Sequence, residues 1–523
     1  MSVAPVGVAT TRAARAPRAR ASAALAVPAV LALAAGLWEP AGPPVWRDEA
    51  ATISAASRTL PETARLLASV DAVHGLYYAF AHVMVALFGP DPVALRLPSV
   101  VAGALAAAGV CALGRALGAP RAGLYGGCLL ALMPIFSRYV QEARPYAFVL
   151  AAAVGATLLF VRALRTGSAT AFAAYGVALA GLAYLNLYAA LVPVAHGVSL
   201  LWSRSVPRAS FLRWCAATAA VGAAVAPLAW LGRRQSAQVG WITRPDAGDV
   251  GTLAAQLFGD LGTGARPWLG LAPLVWALAL AGLWRAARRS PSAGVPLTLV
   301  RLTLVRLALP WLLLPPAVLL AVSWTVHPVY VFRYVLYCVP AAALLAGAGL
   351  AAWPARSAVA MLVLAAGLSI PGQLATRGPD GRQDDPRPVM AVLAAARPGD
   401  GVLFVPRKVR KYAVVYPRVF GRLDDVGLRR SPRRDGSFGG RDVGRRLLPG
   451  RLTGVRTVWV IGQTGKAGRS SRRLGVVRRM FAPAGRWASR GLFLERYEAP
   501  SARAARPAGS AGPVSSNGAG VGK

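Results

Sequence analysis

The sequence contains little of what soluble or disulfide-linked domains depend on. Only 15% of its 523 residues are charged, whereas 55% are hydrophobic, and the mean hydropathy is +0.48. This balance excludes an ordinary soluble domain and is typical of a polytopic membrane protein. Cysteine is rare too, and we expect the four cysteines to be small core residues. Each stands alone in an apolar run, without metal-ligand or disulfide spacing: Cys111, Cys128, Cys215 and Cys338.

Acidic residues are also scarce, because 20 aspartates and glutamates stand against 59 lysines and arginines, for a formal net charge of +39. An excess of this size could indicate a nucleic-acid partner. The arginines lie in short clusters between apolar runs and in a separate C-terminal region, so we expect no nucleic-acid binding. The membrane half also lacks a strand-borne glycine motif, which argues against a nucleotide-sugar enzyme with a Rossmann-type fold.

Apolar runs of about 20 residues, the length that crosses a bilayer, recur along the first part of the chain. Arginine clusters in short loops favour the cytoplasm, and the cluster from Arg12 to Arg20 predicts a cytoplasmic N-terminal tail over residues 1–20. The run after it is too long for a signal-peptide core, so we expect an uncleaved first span. The 14-residue stretch Gly75–Phe88 is too short to cross and is expected to lie at the outer surface.

Counting from the cytoplasmic end predicts an all-α bundle of about eleven transmembrane helices over residues 21–375, in a multi-pass protein of the cell membrane. The expected spans lie near residues 21–38, 97–113, 122–136, 147–161, 170–187, 189–202, 214–231, 268–284, 302–322, 335–352 and 357–375. With this number of membrane crossings, three polar segments, around Asp48, Glu142 and Arg333, are expected on the outer face.

After Arg377 the composition changes to Gly, Pro and Arg with short apolar runs. Two of these runs, Gly401–Val405 and Thr457–Ile461, predict buried strands, and residues 388–396 predict a helix. We therefore expect a small extracytoplasmic α/β domain over residues 376–498. A disordered tail rich in Ala, Gly and Ser is expected over residues 499–523.

Two adjacent carboxylates, Asp48 and Glu49, follow the first predicted span. Charge is costly at bilayer depth, so an acidic pair at the edge of an apolar bundle indicates chemistry at that edge. Adjacent helical residues point about 100° apart, so one carboxylate is expected to be a base and the other to support it. The alternative is helix capping, because the alanine-rich sequence from Ala50 predicts a helix with Asp48 near its N-cap.

A second polar segment brings a carboxylate, a guanidinium and a phenol onto one short outer loop: Glu142, Arg144 and Tyr146. The alternative interpretation is an ordinary surface ion pair, worth at most about 1 kcal/mol. Arginine also grips phosphate bidentately, and Arg138, Arg144 and Arg333 are all predicted on the face that carries the carboxylates. This combination suits an enzyme acting on a phospholipid-like donor, with a base for the acceptor hydroxyl and a cation for the departing phosphate.

Taken in order, these motifs resemble those of the GT-C glycosyltransferases. The segments that carry the resemblance lie within residues 38–200: Asp48-Glu49, Asp71–Tyr78, Phe88-Gly89, Leu95–Ser99 and Gln141–Tyr146. The nearer branch contains the protein O-mannosyltransferases and lipid A aminoarabinose transferases, with bacterial mannosyltransferases of the glycosyltransferase family 39-like type. Many relatives have His-Pro-Pro-Leu-Tyr where this chain has His74-Gly75-Leu76-Tyr77, which is one residue shorter and lacks the prolines.

The resemblance implies inverting transfer of a hexose, expected to be mannose, from a polyprenyl-phosphate sugar donor at the lipid bilayer. The acceptor would be an extracytoplasmic hydroxyl of a glycan, a lipid or a protein. Asp48 matches the position of the family's catalytic base, Glu49 lies beside it, and the arginines would stabilise the developing phosphate charge. The substrate-binding candidates are His74, Tyr77, Arg138, Glu142, Arg144, Tyr146 and Arg333.

Two other functions remain open at this point. A transporter or lipid-linked-glycan flippase would place polar groups near the midplane and usually carry an internal repeat, and neither is seen in the sequence. A non-catalytic anchor would display the basic C-terminal domain to an anionic wall polymer.

Asp48, Glu49 and Glu142 could share a divalent metal, although no spacing requires one, and no other cofactor is expected.

Overall fold

The structure is a computed structural model that describes residues 15–203, 206–261, 270–288, 303–465 and 471–500. The chain divides into two compact units. The first comprises Met1–Asp385 and Pro432–Phe438, and the second comprises Pro386–Ser431 and Gly439–Lys523. The first unit thus extends beyond the predicted boundary at residue 376, because Arg382 and Asp384 form hydrogen bonds within it, to Gln141 and Arg47.

The first unit is helical. Its long and short helices, numbered in chain order, are α1 (Arg15–Leu37), α2 (Arg47–Ala56), α3 (Leu60–Ser69), α4 (Gly75–Phe88), α5 (Pro92–Ala116), α6 (Pro120–Leu132), α7 (Pro134–Val140), α8 (Tyr146–Thr166), α9 (Ala169–Leu185), α10 (Val192–Ser203), α11 (Arg208–Arg234), α12 (Ala247–Leu257), α13 (Ala272–Arg288), α14 (Leu304–Thr325), α15 (Val339–Leu350) and α16 (Ala355–Arg377). Single turns of 3-10 helix at Ala72–His74 and Phe332–Tyr334 lie beside the site described below.

Five of these helices are long and apolar enough to cross a membrane: α5, α8, α11, α14 and α16. The bent pair α6 and α7 adds a sixth if it forms one span. Each predicted span overlaps a helix, and the short stretch expected at the surface is the 14-residue helix α4. Several of the other helices are apolar but shorter, so the count of eleven spans stays a prediction.

Helix α7 turns away from α6 by 68°. Pro134 stands in the first turn of α7, where its missing N–H costs no hydrogen bond, whereas it would interrupt a continuous helix. The residue before it, Met133, accordingly has extended backbone angles. The predicted span near 122–136 is therefore bent rather than straight. The loop after α7 contacts α2 and α5 through hydrogen bonds.

Helices α6, α13 and α15 pack backbone against backbone through glycines. A Cβ on Gly347 of α15 would overlap the carbonyl oxygen of Ala122 and the amide nitrogen of Gly126 on α6, and one on Gly349 would overlap Leu278 of α13. Small residues of this kind let helices approach closely without a hydrophobic driving force between them. Around these contacts lies a continuous core of buried Ala, Leu, Val and aromatic side chains.

The second unit is an α/β domain with a five-stranded sheet in the order β2-β1-β5-β7-β6. The strands are β1 (Gly401–Val405), β2 (Asp424–Asp425), β5 (Thr457–Gln463), β6 (Ala482–Ser489) and β7 (Leu492–Glu498), and a separate ribbon pairs β3 (Leu428–Arg430) with β4 (Arg441–Asp442). The two predicted strands, β1 and β5, are parallel neighbours, and β7 lies antiparallel to β5.

Short helices complete the chain: α17 (Arg387–Leu393), α18 (Tyr412–Val415), α19 (Pro417–Phe420), α20 (Pro432–Asp435), α21 (Leu448–Leu452) and α22 (Leu474–Met480). Helix α17 covers most of the predicted helix over residues 388–396, and α20 belongs to the first unit. Residues 1–14 and 501–523, which include most of the two predicted tails, lie outside the described residues. All four cysteines are free thiols, and three of them are buried.

The glycine contacts predict a position-specific effect of adding one methyl group. Gly347→Ala should lower the thermal midpoint of the purified protein in detergent, because overpacking a close backbone contact typically costs about 1–3 kcal/mol. Gly367→Ala on α16 is the matched control, since a Cβ there meets nothing within 4 Å. It should leave the midpoint unchanged or raise it, because alanine is the better helix former. Equal midpoints for the two variants would contradict the close packing of α6 and α15.

Candidate active site

Helix α2 carries the acidic pair at its start. Trp46, not Asp48, occupies the N-cap position, and it makes no side-chain cap bond. The amide of Arg47, the first helical residue, instead donates to Oδ2 of Asp384 at 3.1 Å, and the Arg47 guanidinium forms an ion pair with the same carboxylate. Asp48 follows in the first turn and is half-buried, whereas Glu49 is fully buried. The two carboxylates therefore face different surroundings.

Glu49 points inward and pairs with Arg96 of α5. Arg96 Nε donates to Oε1 at 2.8 Å and Nη2 donates to Oε2 at 2.7 Å, and each side chain is 1% exposed. The other N–H groups of Arg96 donate to three carbonyls in the loop before α2: Pro40, Pro43 and Pro44. The amide of Ala143, in the loop after α7, also donates to Glu49 Oε1 at 3.0 Å. One ion pair thus joins two helices and two loops.

Glu49 is held in its ionised form. Burial raises the pKa of this carboxyl, but the charge and hydrogen bonds of Arg96, the charge of Arg382 and the Ala143 amide together bring the pKa below its ordinary value. Both oxygens of Glu49 already accept hydrogen bonds, from the guanidinium of Arg96 and the amide of Ala143.

The loop after α7 is fixed by its polar side chains. Gln141 Nε2 donates to the carbonyls of Gly36 and Trp38, which lack helical partners at the end of α1. Ser99 on α5 donates to the carbonyl of Glu142 at 2.8 Å. The Glu142 carboxylate accepts from Arg138 Nη1 at 2.6 Å. Glu142 is fully buried, so it anchors Arg138 beside α2.

These ion pairs bear on the predicted shared metal. Glu49 is bound to Arg96, and Glu142 is bound to Arg138. A carboxylate that already neutralises a guanidinium is a poor ligand for a divalent cation, and the two do not converge with Asp48 on one point. Among the described residues, no group of three or more His, Cys, Asp and Glu side chains could hold a metal.

Arg144 is buried among neutral partners. Its Nη2 donates to Nε2 of His74 at 3.0 Å, and its Nη1 lies 3.4 Å from the hydroxyl of Tyr78 and 3.5 Å from that of Thr52. The Tyr78 hydroxyl in turn donates to Asp71 at 2.7 Å. No carboxylate in the described part of the chain forms an ion pair with Arg144. Its positive charge is therefore held in place without being neutralised by direct contact.

His74 and Tyr77 occupy different environments, although the sequence suggested similar roles for them. Burial and the charge of Arg144 lower the pKa of His74 to about 4, so its ring is neutral and accepts from Arg144. Tyr77 is 2% exposed, with its ring packed against Phe80 and Phe148. A contact between Tyr77 and a sugar stays a prediction, and its observed neighbours are those of a packing residue.

Arg333 comes from a segment of the first unit that is distant in sequence from α2 and α7. It lies in the 3-10 turn after α14, and its guanidinium stands 5.4 Å from the ring of Trp241 and 5.6 Å from that of Tyr334. No described carboxylate pairs with it. Burial lowers the pKa of Arg333, but the neighbouring Tyr146 hydroxyl and the charge of Asp48 outweigh burial and raise it. Asp48 has the same effect on Arg144, so both arginines share one electrostatic environment with this carboxylate.

The arrangement combines a half-buried carboxylate with two arginines that form no ion pair with a carboxylate in the described ranges. Such a site attracts an anion to the arginines while Asp48 remains positioned to accept a proton. Tyr146 belongs to the same environment through its effect on Arg333, and its ring packs edge-on against Tyr139 at 5.1 Å. Arg138 stands next to this group, with its guanidinium 5.4 Å from the ring of Trp46.

Several contributors did not stand out as site residues in the sequence. Arg96 was visible only as part of a motif, although a lone arginine near the start of an apolar span is itself a signal for a buried partner. Tyr78 is adjacent to the predicted Tyr77, and helical phase alone does not choose between them. Asp384 and Arg382 lie more than 200 residues from the loops they bind, so only the fold brings them there.

Comparison with known proteins identifies the fold. Residues 75–230 match the family model described as dolichyl-phosphate-mannose-protein mannosyltransferase. No curated protein matches the sequence. The solved structure of ArnT from Cupriavidus metallidurans in the apo state is 13% identical, with a TM-score of 0.58 over 92% of this chain and 98% of ArnT.

Two further structures agree. ArnT from the same organism bound to undecaprenyl phosphate is 12% identical, with a TM-score of 0.51 over 80% of this chain and 87% of ArnT. AglB, the archaeal oligosaccharyltransferase from Archaeoglobus fulgidus in complex with an inhibitory peptide and a dolichol-phosphate, is 11% identical. It has a TM-score of 0.50 over 92% of this chain and 74% of AglB. At these identities the likeness establishes the fold, and it confirms the resemblance predicted from the motifs.

The ion pair predicts a large loss of stability when Glu49 is neutralised. Glu49→Gln leaves Arg96 buried without a countercharge, and breaking a buried pair in this way typically costs about 3–5 kcal/mol. The thermal midpoint in detergent should fall accordingly. Glu62→Gln is the control, because Glu62 is a more exposed member of a capping box in which glutamine serves equally well. A Glu49→Gln protein as stable as the control would contradict the supporting role.

The lowered pKa of His74 predicts a dependence of stability on pH. An unfolded histidine titrates near its ordinary pKa of 6.5, whereas His74 in the folded protein titrates near 4. Between these values the unfolded chain binds the additional proton, so stability falls as the pH drops from about 6.5 towards 4.

His74→Gln should remove this contribution, on the order of 1 kcal/mol between pH 7 and pH 5. The measurement is the change in thermal midpoint between these two pH values, which should be smaller in the variant than in the natural protein. His327→Gln, at an exposed position, is the control and should behave like the natural protein. The same acid sensitivity in all three proteins would rule out a neutral, buried His74.

Proposed function

We propose that this chain, a GT-C superfamily glycosyltransferase of the ArnT and protein O-mannosyltransferase type, transfers mannose from a polyprenyl-phosphate donor to a hydroxyl acceptor with inversion at the anomeric carbon. The observation that carries the proposal is the position of Asp48. It is half-buried in the first turn of α2 and shares its electrostatic environment with Arg144 and Arg333. Neither arginine forms an ion pair with a described carboxylate.

The chemistry follows from these charges. The acceptor oxygen attacks the anomeric carbon, the bond from that carbon to the phosphate oxygen breaks, and the acceptor proton passes to Asp48. The departing polyprenyl phosphate gains negative charge as the bond breaks. Arg144 and Arg333 are placed to stabilise it, and a prearranged cation is most effective where charge develops during the reaction. Inversion follows from a single displacement on the side of the sugar opposite the phosphate.

The neighbouring residues position these groups. Glu49 holds α2 in place through its ion pair with Arg96, and it therefore fixes the position of the preceding residue, Asp48. Neutral His74 and the Tyr78–Asp71 pair hold Arg144 from two directions. Arg138, held by Glu142, adds a further cation beside Trp46. Preorganised groups of this kind lower the reorganisation needed during the reaction.

The identity of the donor rests on similar proteins. One ArnT structure is bound to undecaprenyl phosphate, and the AglB structure contains dolichol-phosphate. The family model that matches residues 75–230 carries the description of a mannosyltransferase that uses dolichyl phosphate, which supports mannose as the sugar. The acceptor is a hydroxyl of a glycan, a lipid or a protein. In this proposal the protein lies in the cell membrane with a cytoplasmic N-terminus, and the site opens on the outer face.

The transporter or flippase alternative is not favoured. A transporter would place polar groups between broken helices in corresponding halves of the chain. The charged groups described above gather instead around α2, the loop after α7 and the turn after α14. The family match and the fold also agree with a glycosyltransferase.

Replacement of Asp48 tests the proposed base. Asp48→Asn should lower the rate of sugar transfer by about 10²–10⁴-fold, the typical contribution of a general base. The measurement is transfer of radiolabelled mannose from a polyprenyl-phosphate donor to endogenous acceptors in isolated membranes, with the thermal midpoint recorded in parallel. Asp246→Asn, which replaces an aspartate at the N-cap of α12, is the control and should retain transfer. Undiminished transfer by Asp48→Asn would refute the assignment.

A further inference from the structure

Two of the membrane-length helices, α5 and α8, run from the candidate active site to the opposite end of the first unit. Arg96, near the start of α5, holds Glu49, and Tyr146 begins α8. Helix α5 ends at Ala116 and α8 ends at Thr166, each about 20 residues further along its helix. At about 1.5 Å per residue this is a distance of about 30 Å, the thickness of the hydrocarbon core of a bilayer. The site and the far ends of these helices therefore belong to opposite membrane surfaces.

Exposed tryptophans lie at both of these ends. Trp241 lies beside Arg333 of the site and is strongly exposed. At the far end, Trp353 follows α15 and is strongly exposed as well. Gly347 of α15 packs against Ala122 in the first turn of α6, just after α5 ends, so Trp353 lies at this end. Tryptophan is enriched at both membrane–water interfaces, so we expect the far ends of α5 and α8 at the second interface.

An open cavity lies at the far ends of α5 and α8, and we call it the α5–α8 groove. Its volume is about 350 Å³, within the range of about 300–1,000 Å³ that is usual for ligand sites. Its apolar lining comes from Ala116 of α5 and from Leu158, Leu159 and Val161 of α8. Leu158 and Leu159 are only half-buried by the protein. A lining of this kind, at the edge of a bilayer, suits a hydrocarbon chain.

Two arginines, Arg162 and Arg165, line the same groove. Both are exposed, and neither forms an ion pair with a carboxylate in the described ranges. The sequence gives the reason, since residues 92–141 and 143–245 contain no aspartate or glutamate. An arginine in the last turn of a helix also interacts favourably with the helix dipole, so charge alone does not indicate a ligand. The shared lining does, because it suits a molecule with an anionic head and an apolar tail.

From this combination of an apolar lining and two cations without a described carboxylate partner, we propose that the α5–α8 groove binds an anionic phospholipid of the leaflet opposite the active site. An acyl chain lies against Leu158 and Leu159. Arg162 and Arg165 bind the phosphodiester of the headgroup through paired N–H groups. Basic pockets between transmembrane helices bind anionic headgroups in this manner. The proposal does not rest on sugar transfer, because the groove lies at the other end of the helices.

Native mass spectrometry of the full-length protein in neutral detergent tests the proposal. The protein is titrated with phosphatidylglycerol or with phosphatidylcholine of the same acyl chains. It should bind phosphatidylglycerol more tightly, because only this lipid has a net negative charge. Arg162→Gln combined with Arg165→Gln should weaken the binding of phosphatidylglycerol about thirtyfold, or about fivefold for each arginine. The binding of phosphatidylcholine should stay the same.

A second double variant is the matched control. Arg121→Gln combined with Arg356→Gln removes the same charge from exposed positions at the same end of the first unit, outside the groove lining. It should bind phosphatidylglycerol as the natural protein does. Ala116→Trp keeps both groove arginines but fills the cavity, so it should weaken the binding. Asp48→Asn should bind normally, so a failure of the proposed chemistry leaves this result intact. Unchanged thermal midpoints without lipid would show that the variants fold.

Four results would overturn the proposal. The first is equal affinity of the natural protein for the two lipids. Equal weakening by the two double variants would mean that net charge, and not the groove, governs binding. Equally tight binding of glycerol phosphate, which has the anion but no acyl chain, would identify a soluble anion as the ligand. A dimer that is lost in Ala116→Trp, without any preference for phosphatidylglycerol, would identify a second copy of the chain as the occupant.

Discussion

The buried ion pair between Glu49 and Arg96 is the interaction on which the site depends. It uses the five N–H groups of the guanidinium and three hydrogen bonds to the carboxylate, so neither charge is left unsatisfied inside the first unit. An ion pair this deep contributes little net stability compared with apolar packing, but breaking it is costly. Its effect is to fix where α2 begins relative to α5 and to the loop after α7, and therefore where Asp48 stands.

The same contrast between satisfied and unsatisfied charge runs through the whole molecule. In the first unit, Arg96 and Arg138 are neutralised by buried glutamates, whereas no described carboxylate forms an ion pair with Arg144 or Arg333. In the second unit, Asp425 and Asp442 both pair with the buried Arg410. A buried cation that no carboxylate neutralises is available to an anionic ligand.

Some features could be predicted from the sequence because they depend on local pattern. Apolar runs predicted helices at each expected span, and strands β1 and β5 were predicted from short apolar runs between turn residues. The edge strand β6 was not, because Ala482–Ser489 is half-exposed along its length and gives a weak signal. Its buried neighbour β7 was not predicted either. The bend at Pro134 was missed as well, since an apolar run has the same composition whether it is straight or broken.

What the sequence determined by itself was the class of protein, the resemblance to a family and the acidic pair, because hydropathy and ordered motifs are properties of short segments. Only the tertiary structure decided how the surroundings of the two carboxylates differ. Two adjacent carboxylates are alike in sequence, and it is the arrival of Arg96 and the Ala143 amide from distant segments that commits Glu49 to the interior. Asp48, one residue earlier and about 100° around the helix, lies outside that network and is left half-buried beside the arginines.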